Sequence, residues 1–426
     1  MKKIMICVAP VAAGDPLINP RAIARDVYDC YKNGAAMVHL HVRDLNGRLT
    51  PSLTLLEETA QYIRELCDII IEISTGGVSD LTIEERVQPC YAPWVEATSL
   101  NVGSVNLGEA VYANPIRDVR YCVKQIVDHN KIPETELFEL GMANTLRELD
   151  EMYHLPKPLM LALVFGHPGE MPATPAALKH MIGGVYDNFP KDAVKWGYTE
   201  AHRTDFEMVK QALLEGADAL RIGFEDSDYI NRYQRVRTNS ELIKEAVKLV
   251  RDMGMEPMSS DEMRSVINIP PLNKETCFNT LGLSTADGFL QEEIFDVRKA
   301  EKQKVIEEVA SRNGMASGIT SFKNEGYAIL PQVPGRGKMG VHSLNCLEDK
   351  IFLNEFIRSP YVRDIIMCQG KGCEGREFIR SLAEDGRNVK LLAPDEKLLE
   401  FTGRTYVEHV KTDKAEYNCD LFVAAV

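Results

Sequence analysis

The first 255 residues alternate between two arrangements of apolar and polar positions. Short, continuous apolar runs rich in Val, Ile and Leu are separated by longer segments in which apolar residues recur every three or four positions. The first arrangement predicts buried strands, and the second predicts amphipathic helices. Strands are predicted at residues 4–11, 37–42, 69–74, 94–105, 136–139, 159–165, 193–198 and 219–224. Helices are predicted near residues 20–33, 54–66, 82–88, 116–129, 145–153, 175–187, 204–215 and 240–253.

Residues at the helix boundaries support this division. Pro20 can occupy the first position of the first helix, and Gly34, Gly216 and Gly254 follow helices where a left-handed residue ends them. Buried strands that alternate with helices indicate an α/β protein with a parallel sheet, and eight units of about 30 residues predict a (β/α)8 TIM barrel. An open doubly wound sheet is the alternative. It is disfavoured because no Gly-x-Gly-x-x-Gly turn follows the first strand.

Composition and charge limit the compartment and the partners. The chain has 426 residues, of which 45% are hydrophobic and 26% charged, as is typical of a globular protein of two or three domains. Its formal net charge of −14 argues against a nucleic acid or an anionic membrane as partner. No apolar stretch approaches the roughly 20 residues that span a bilayer, and the N-terminus runs directly into a strand, so we expect a cytoplasmic protein. Ten scattered cysteines are typical of reduced thiols.

A His-x-His pair, His39 and His41, lies in the second predicted strand. Residues two apart on a strand point to the same side of the sheet, so both imidazoles can contact one metal ion. Neutral imidazole suits zinc, and a catalytic zinc normally has three protein ligands. The alternative is a pair of core histidines that hydrogen-bond to their neighbours.

The ends of the other predicted strands carry further candidate chemistry, because catalytic residues of TIM barrels lie at the C-terminal strand ends. Glu225, after the eighth strand, is the candidate third zinc ligand. Arg221 and Asp226 can form a pair in which the cation keeps the carboxylate ionised, as a general base requires. Residues 74–77 offer a hydroxyl and backbone N–H groups to a carboxylate. Taken singly, the Glu225–Asp226 doublet is more typical of a solvated loop start or a helix N-cap, and residues 74–77 are equally typical of a simple turn.

In these segments the chain resembles the β-keto acid cleavage enzymes. The resemblance rests on five separated motifs in matching order, at residues 39–43, 73–77, 100–108, 138–142 and 221–226. A weaker likeness continues through residues 239–242 and 259–264, so the resemblance covers about residues 3–268.

The resemblance implies a zinc-dependent acyltransferase that converts a β-keto acid and acetyl-CoA into acetoacetate and a new acyl-CoA by Claisen and retro-Claisen steps. It implies that His39, His41 and Glu225 bind zinc. It also implies that Asp226, held by Arg221, removes the C2 proton of the keto acid. The residues that the resemblance places around the substrate carboxylate are Ser74, Gly76, Gly77 and Ser99, with Glu136 as a polar support beside them. The family is also expected to form homo-oligomers, here a dimer or a tetramer.

One departure from the family bears on the substrate. The member that acts on 3-keto-5-aminohexanoate has a glutamate at the position of Gly14, where it can pair with the substrate amine. A buried ammonium without a partner is costly unless Asp15 supplies the charge, so we expect a substrate with a neutral or anionic tail. His167, Glu170 and Arg203, in loops after the sixth and seventh strands, are the nearest polar candidates for contacting that tail.

Residues beyond the predicted barrel at 1–270 lie outside the resemblance. We divide them into a helical, Gly-rich connecting segment at 271–340 and a small α/β module at 341–426. In the module, strands are predicted at 364–367, 389–392, 405–409 and 421–425, and helices at 375–384 and 396–401. The loop at 368–375 could cradle a phosphate, but it lacks the Walker spacing and is more typical of a tight turn.

Two other functions would use the same features. A zinc-dependent hydrolase or aldolase also places metal ligands in a TIM barrel, but amidohydrolases carry the His-x-His pair on the first strand and need further histidines. A binding protein with an inactive barrel is disfavoured by the complete set of metal ligands and base.

Overall fold

The computed structural model describes residues 1–12, 18–44 and 47–272, and the short stretches 327–330, 364–368, 388–392, 398–402, 409–419 and 421–425. The chain divides into two units, Met1–Leu281 and Gly282–Val426. Among the described residues, no helix has both the length and the apolar character that a bilayer span requires.

The first unit is a closed barrel of eight parallel strands. Each strand pairs with the next along the chain, and the last pairs with the first through Met5↔Ala219 and Val8↔Ile222. This closure confirms the predicted (β/α)8 TIM barrel and excludes the open sheet. The barrel strands are β1 (Lys3–Val8), β2 (Met37–Leu40), β3 (Ile70–Ile73), β4 (Ala97–Asn101), β5 (Ile132–Leu137), β6 (Leu159–Phe165), β7 (Val194–Glu200) and β8 (Ala219–Ile222).

Helices alternate with these strands and cover the ring. The first begins at Pro20, preceded by Asn19, whose side chain accepts a hydrogen bond from the Ala22 N–H group. Gly216, with a φ of +105°, ends the seventh helix as predicted. The helices are α1 (Pro20–Lys32), α2 (Thr54–Leu66), α3 (Ile83–Arg86), α4 (Ile116–Asp128), α5 (Gly141–Tyr153), α6 (Pro175–Asn188), α7 (Glu207–Glu215), α8 (Asn239–Asp252) and α9 (Ser260–Val266).

Two strand predictions in the barrel need correction. The fifth strand covers Ile132–Leu137 rather than 136–139. Its inward positions include the buried carboxylates of Glu134 and Glu136, so the strand lacks the continuous apolar run by which buried strands are predicted. The predicted strand at 94–105 is shorter, at Ala97–Asn101, and is followed by a separate hairpin of Val105–Leu107 and Ala110–Tyr112.

The N-terminal end of the barrel is filled by apolar side chains. Met5, Met37 and Met160 line the inside of the ring there, and Met263 and Ile267 pack against them. Met263 belongs to α9, which lies beyond the eighth βα unit of the chain. The polar chemistry therefore lies at the opposite end of the barrel.

The second unit is described only through its strands. One sheet has the order Tyr327–Leu330, Leu421–Ala425, Asp364–Cys368 and Asn388–Leu392, in which the last three strands run parallel. A second sheet joins Leu398–Thr402, His409–Thr412 and Glu416–Asn418 in antiparallel order.

One helix prediction in the second unit is wrong. The segment predicted as a helix at 396–401 contains a strand, because the apolar run Leu398–Thr402 pairs with His409–Thr412 and this pairing overrides a local helical pattern. The strand predicted at 405–409 is described only from His409 onward. Most of the predicted connecting segment at 271–340, the predicted helix at 375–384 and most of the loop at 368–375 lie outside the described residues.

Candidate active site

Three predicted zinc ligands converge at the C-terminal end of the barrel. His39 is inside β2, and His41 lies just beyond its end, so both rings face the barrel axis. Their Nε2 atoms are 3.3 Å apart, and His41 Nε2 is 3.0 Å from Glu225 Oε1. His39 Nε2 is 3.8 Å from Glu225 Oε2. The structure therefore brings together residues from the second strand and from the segment after the eighth.

The donor set and its charge fit a divalent cation. The possible ligand atoms of His39, His41 and Glu225 lie within 4.8 Å of one another, and two imidazoles with one carboxylate are a set that catalytic zinc uses. Burial and the nearby Arg221 lower the pKa of His39, which favours the neutral ring that a metal needs. Burial opposes ionisation of Glu225, but Arg221 and the two histidines hold its pKa well below the usual range.

Buried carboxylates surround this cluster. The Nδ1 atom of His39 is hydrogen-bonded to the Glu72 carboxylate, and the position of Nε2 toward His41 and Glu225 follows from that contact. Burial raises the pKa of Glu72 well above its usual range and that of Glu134 to about 8. A bound cation would offset the cost of ionising these side chains in the barrel interior.

Arg221 is the centre of an ion-pair network beside the cluster. Its Nη1 atom donates to Glu136 at 2.9 Å, and its Nη2 atom donates to Glu225 at 2.6 Å and to Asp226 at 3.2 Å. The Arg221 side chain is buried, with 8% exposed. Glu136 thus contacts Arg221 directly, and its predicted role as a polar support beside the substrate carboxylate stays a prediction.

Asp226, the predicted base, is held by both its side chain and its backbone. Its carboxylate accepts hydrogen bonds from Nε and Nη2 of Arg221, at 3.3 and 3.2 Å. Burial raises its pKa, and Arg221 opposes that rise. The Asp226 carbonyl accepts the His202 N–H group at 2.9 Å, and the Glu225 N–H group donates to the Ala9 carbonyl at 3.1 Å, so the segment is tied to β7 and β1.

The predicted carboxylate pocket lies at the ends of β3 and β4. Ser74 Oγ is 3.3 Å from Ser99 Oγ, and the Gly76 N–H group donates to Ser74 Oγ at 3.1 Å. The structure thus places these hydroxyls together as the sequence suggested. A Cβ atom on Gly76 would lie 1.6 Å from the Tyr112 hydroxyl, so a larger residue there would displace the buried Tyr112 ring. Gly77 follows with a φ of +126°, which also favours glycine.

Three further side chains belong to the site, of which only Asn101 lies in one of the sequence motifs, at residues 100–108. Asn101, two residues after Ser99 on the same face of β4, is buried, and neither amide atom has a hydrogen-bond partner. Tyr112, from the hairpin after β4, covers Gly76. Glu72 lies in register with His39. Period-two alternation along β4 could have indicated Asn101, whereas the other two contacts depend on tertiary structure.

Comparison with known proteins agrees with this architecture. The sequence profile of the beta-keto acid cleavage enzyme family matches residues 16–269, which is more than half of the chain. The chain belongs to this family. It is 30% identical over 249 residues to the 3-keto-5-aminohexanoate cleavage enzyme of Acetoanaerobium sticklandii, covering 58% of this chain and 89% of that protein. It is 24% identical over 300 residues to the 3,5-dioxohexanoate:acetyl-CoA acetone transferase of Paraburkholderia graminis, covering 63% and 96%.

The beta-keto acid cleavage enzyme match confirms the resemblance in the sequence motifs and makes this protein an enzyme. The matched region contains every residue of the site. Among solved structures, the ternary complex of ObcA with C4-CoA adduct and oxalate has a TM-score of 0.51 and 18% identity, covering 60% of this chain and 67% of that one. That similarity supports the TIM barrel fold. The roles of the individual side chains stay predictions.

Proposed function

We propose that this beta-keto acid cleavage enzyme exchanges acyl groups between a β-keto acid and acetyl-CoA, giving acetoacetate and a new acyl-CoA, with zinc bound by His39, His41 and Glu225. The observation that carries the proposal is a buried carboxylate, Asp226, fixed by Arg221 directly beside a two-histidine, one-glutamate cluster. A zinc ion bound there supplies Lewis-acid stabilisation of the negative charge that develops on the keto oxygen.

Asp226 is the proposed base for the first step. It takes the proton from C2 of the keto acid, between the carboxylate and the keto group, where removal leaves a stabilised carbanion. Two hydrogen bonds from Arg221 orient the carboxylate, and burial raises its pKa, which makes it a stronger base than an exposed aspartate.

The remaining steps exchange one carbon–carbon bond for another. The C2 carbanion attacks the thioester carbonyl of acetyl-CoA and expels the CoA thiolate. The thiolate then adds to the former keto carbon, and the bond between that carbon and C2 breaks. Acetoacetate leaves as a carbanion that recovers the proton from Asp226, and the rest of the substrate remains as the new acyl-CoA.

The substrate carboxylate is proposed to bind at the ends of β3 and β4. Ser74 and Ser99 supply hydroxyl groups, Gly76 and Gly77 supply backbone, and Asn101 supplies an amide whose atoms have no partner among the described residues. A carboxylate ligand would satisfy the Nδ2 donor of Asn101, which is otherwise costly to bury.

Turnover with a substrate panel tests the reaction. The zinc-loaded full chain is incubated with acetyl-CoA and a series of β-keto acids, and acetoacetate and acyl-CoA are measured. We expect both products in equal amounts for at least one acid. Absence of both with every acid, together with hydrolysis of an ester or amide, would favour the zinc hydrolase instead.

Two variants separate the base from the metal ligand. Asp226→Asn should lower kcat by at least about a hundredfold and still bind zinc, because proton transfer by a positioned side chain contributes on that scale. Glu225→Gln should weaken zinc binding itself. Asp228→Asn, two residues further along and paired with Arg235, is the control that should keep activity. Full activity of Asp226→Asn would refute the assignment of the base.

Other properties remain proposals from the sequence. We propose that the protein is cytoplasmic and forms a homodimer or homotetramer, and size-exclusion chromatography with light scattering can test the oligomeric state. We also propose that each chain consists of the barrel, the connecting segment and the α/β module. Gly14 lies outside the described residues, so the expectation of a neutral or anionic substrate tail rests on the sequence alone.

A further inference from the structure

Four aromatic rings form a continuous row at the mouth of the barrel. Tyr112, Phe138, His167 and His202 follow β4, β5, β6 and β7, and their successive ring centroids are 6.2, 6.4 and 5.8 Å apart. We call this row the rim arc. It begins at the proposed carboxylate pocket, where Tyr112 contacts Gly76, and ends at His202, whose N–H group donates to the Asp226 carbonyl.

The rim arc therefore follows the path that a substrate would take. A β-keto acid whose carboxylate is near Gly76 and whose C2 is near Asp226 directs the rest of its chain toward the last members of the arc. The first two rings are buried and largely apolar, whereas the last two are histidines. The groups nearest to the substrate tail are therefore the side chains of His167 and His202.

The histidine end of the arc has hydrogen-bonding groups without protein partners. The His202 side chain is exposed, and its ring packs edge-on against that of His167 on a backbone with a left-handed φ of +56°. His167 Nδ1 is 3.0 Å from Glu170 Oε1, so that the opposite ring edge, with Nε2, is left for a ligand. Glu170 Oε1 accepts this contact and the His167 N–H group, whereas Glu170 Oε2 is buried without a hydrogen-bond partner among the described residues.

Arg203 adds a permanent positive charge beside His202. Its side chain is buried and stacks on Phe206 at 4.0 Å, and its Nη1 atom donates to the backbone carbonyls of Asp205 and Tyr229. Its Nη2 atom has no hydrogen-bond partner among the described residues. The carboxylates of Glu200, Asp226 and Asp205 act on this guanidinium, and its unsatisfied N–H group favours one further hydrogen-bond acceptor.

Given the proposed function, we propose that His167, His202 and Arg203 bind the tail of the substrate, and that the preferred substrates are β-keto acids whose tail ends in a carboxylate. In this proposal, the second carboxylate of a short dicarboxylic keto acid binds these groups while its C2 lies beside Asp226. The phosphates of coenzyme A are a poorer match, because the whole pantetheine arm separates them from the thioester at the reacting carbon.

Three substrates of equal chain length test the specificity. They are six-carbon β-keto acids that end in a carboxylate, a methyl group or an ammonium group, each assayed with acetyl-CoA and the zinc-loaded full chain. We expect kcat/KM to be at least about tenfold higher for the carboxylate tail than for the methyl tail, as one charged hydrogen bond suffices for that ratio. A preference for the methyl or the ammonium tail would overturn the proposal while leaving the proposed function intact.

Variants then assign the preference to the rim arc. His202→Gly, which suits the left-handed backbone, and His167→Phe, which keeps the ring, should each reduce the carboxylate-to-methyl ratio about tenfold. His180→Phe, an exposed position on α6, is the control and should keep the ratio. An unchanged ratio in both test variants would overturn the proposal. Loss of turnover with all three acids in the wild-type protein would instead refute the proposed function.

Discussion

At the scale of single residues, polar side chains inside the barrel act on one another across neighbouring strands. His39 lies in register with Glu72, and the Glu72 carboxylate is bonded to the His39 ring at Nδ1. A carboxylate behind a ligand histidine fixes the ring orientation and increases the basicity of the other nitrogen. Glu72 is therefore a positioning residue for the proposed zinc site, although it would not touch the metal.

This role of Glu72 predicts a change in metal affinity. We expect Glu72→Gln to weaken zinc binding about tenfold to a hundredfold, because a neutral amide holds the His39 N–H group less strongly than a carboxylate does. Competitive titration of the full chain against a chelating dye measures the affinity. Glu148→Gln, at an exposed position on α5, should leave it unchanged. Equal zinc affinity in Glu72→Gln and wild type would exclude the positioning role.

The residues of the site differ in how visible they are in the sequence. His39 and His41 are two residues apart, the second just beyond the end of β2, and Glu225 and Asp226 are adjacent, so local spacing indicates them. Glu72 is 33 residues from its partner His39, and only the register between β2 and β3 joins the two. Sequence patterns predict the face on which a side chain lies, but they do not predict which side chain stands opposite.

At the scale of elements, α2 carries a buried acidic residue, Glu57, whose carboxylate makes no hydrogen bond within the described residues. The Glu57 side chain is fully buried, and neither carboxylate oxygen has a hydrogen-bond partner in the described part of the chain. Burial raises its pKa to about 7. Because this pKa exceeds the unfolded value, the folded chain binds the extra proton, and stability falls as the pH rises from about 4.5 to 7.

A pH series with Glu57→Gln tests this sign. At pH 8 the variant should be more stable than wild type by about 1 kcal/mol, a value reduced for screening by nearby water, and at pH 5 the difference should be close to zero. Urea unfolding followed by fluorescence is suitable, since the two tryptophans, Trp94 and Trp196, are both buried in the barrel unit. Glu84→Gln, on exposed α3, is the control. Greater stability of wild type at pH 8 would contradict the prediction.

Strands and helices are predictable where the apolar pattern is regular. The prediction is wrong where polar site residues interrupt the pattern or where strand pairing decides the structure. The apolar β6 at Leu159–Phe165 has the predicted bounds. The start of β5 was missed because inward-facing Glu134 and Glu136 replace the apolar residues that mark a buried strand. Leu398–Thr402 has an apolar pattern that fits a helix or a strand, and pairing with another strand decides between them.

At the scale of the whole barrel unit, the two ends of the ring have separate tasks. The C-terminal end holds the charged and polar side chains of the proposed site, whereas the N-terminal end is packed with apolar side chains from the strands and from α9. The repeat of strand and helix predicts the ring. It does not predict that α9 packs against the N-terminal end of the barrel, because α9 lies beyond the eight repeating units. We call this apolar N-terminal end the barrel floor.

A substitution in the floor should therefore change stability without changing the site. Met263 is fully buried against the barrel strands, so Met263→Ala should lower the free energy of unfolding by about 2–5 kcal/mol, from lost burial and the cavity that remains. Met152→Ala, on α5 with 53% of the side chain exposed, should change it little. Zinc affinity and kcat of folded Met263→Ala should equal those of wild type, because the ligands are fixed by strands at the other end. A stable Met263→Ala with much weaker zinc binding would show that the floor and the site are coupled.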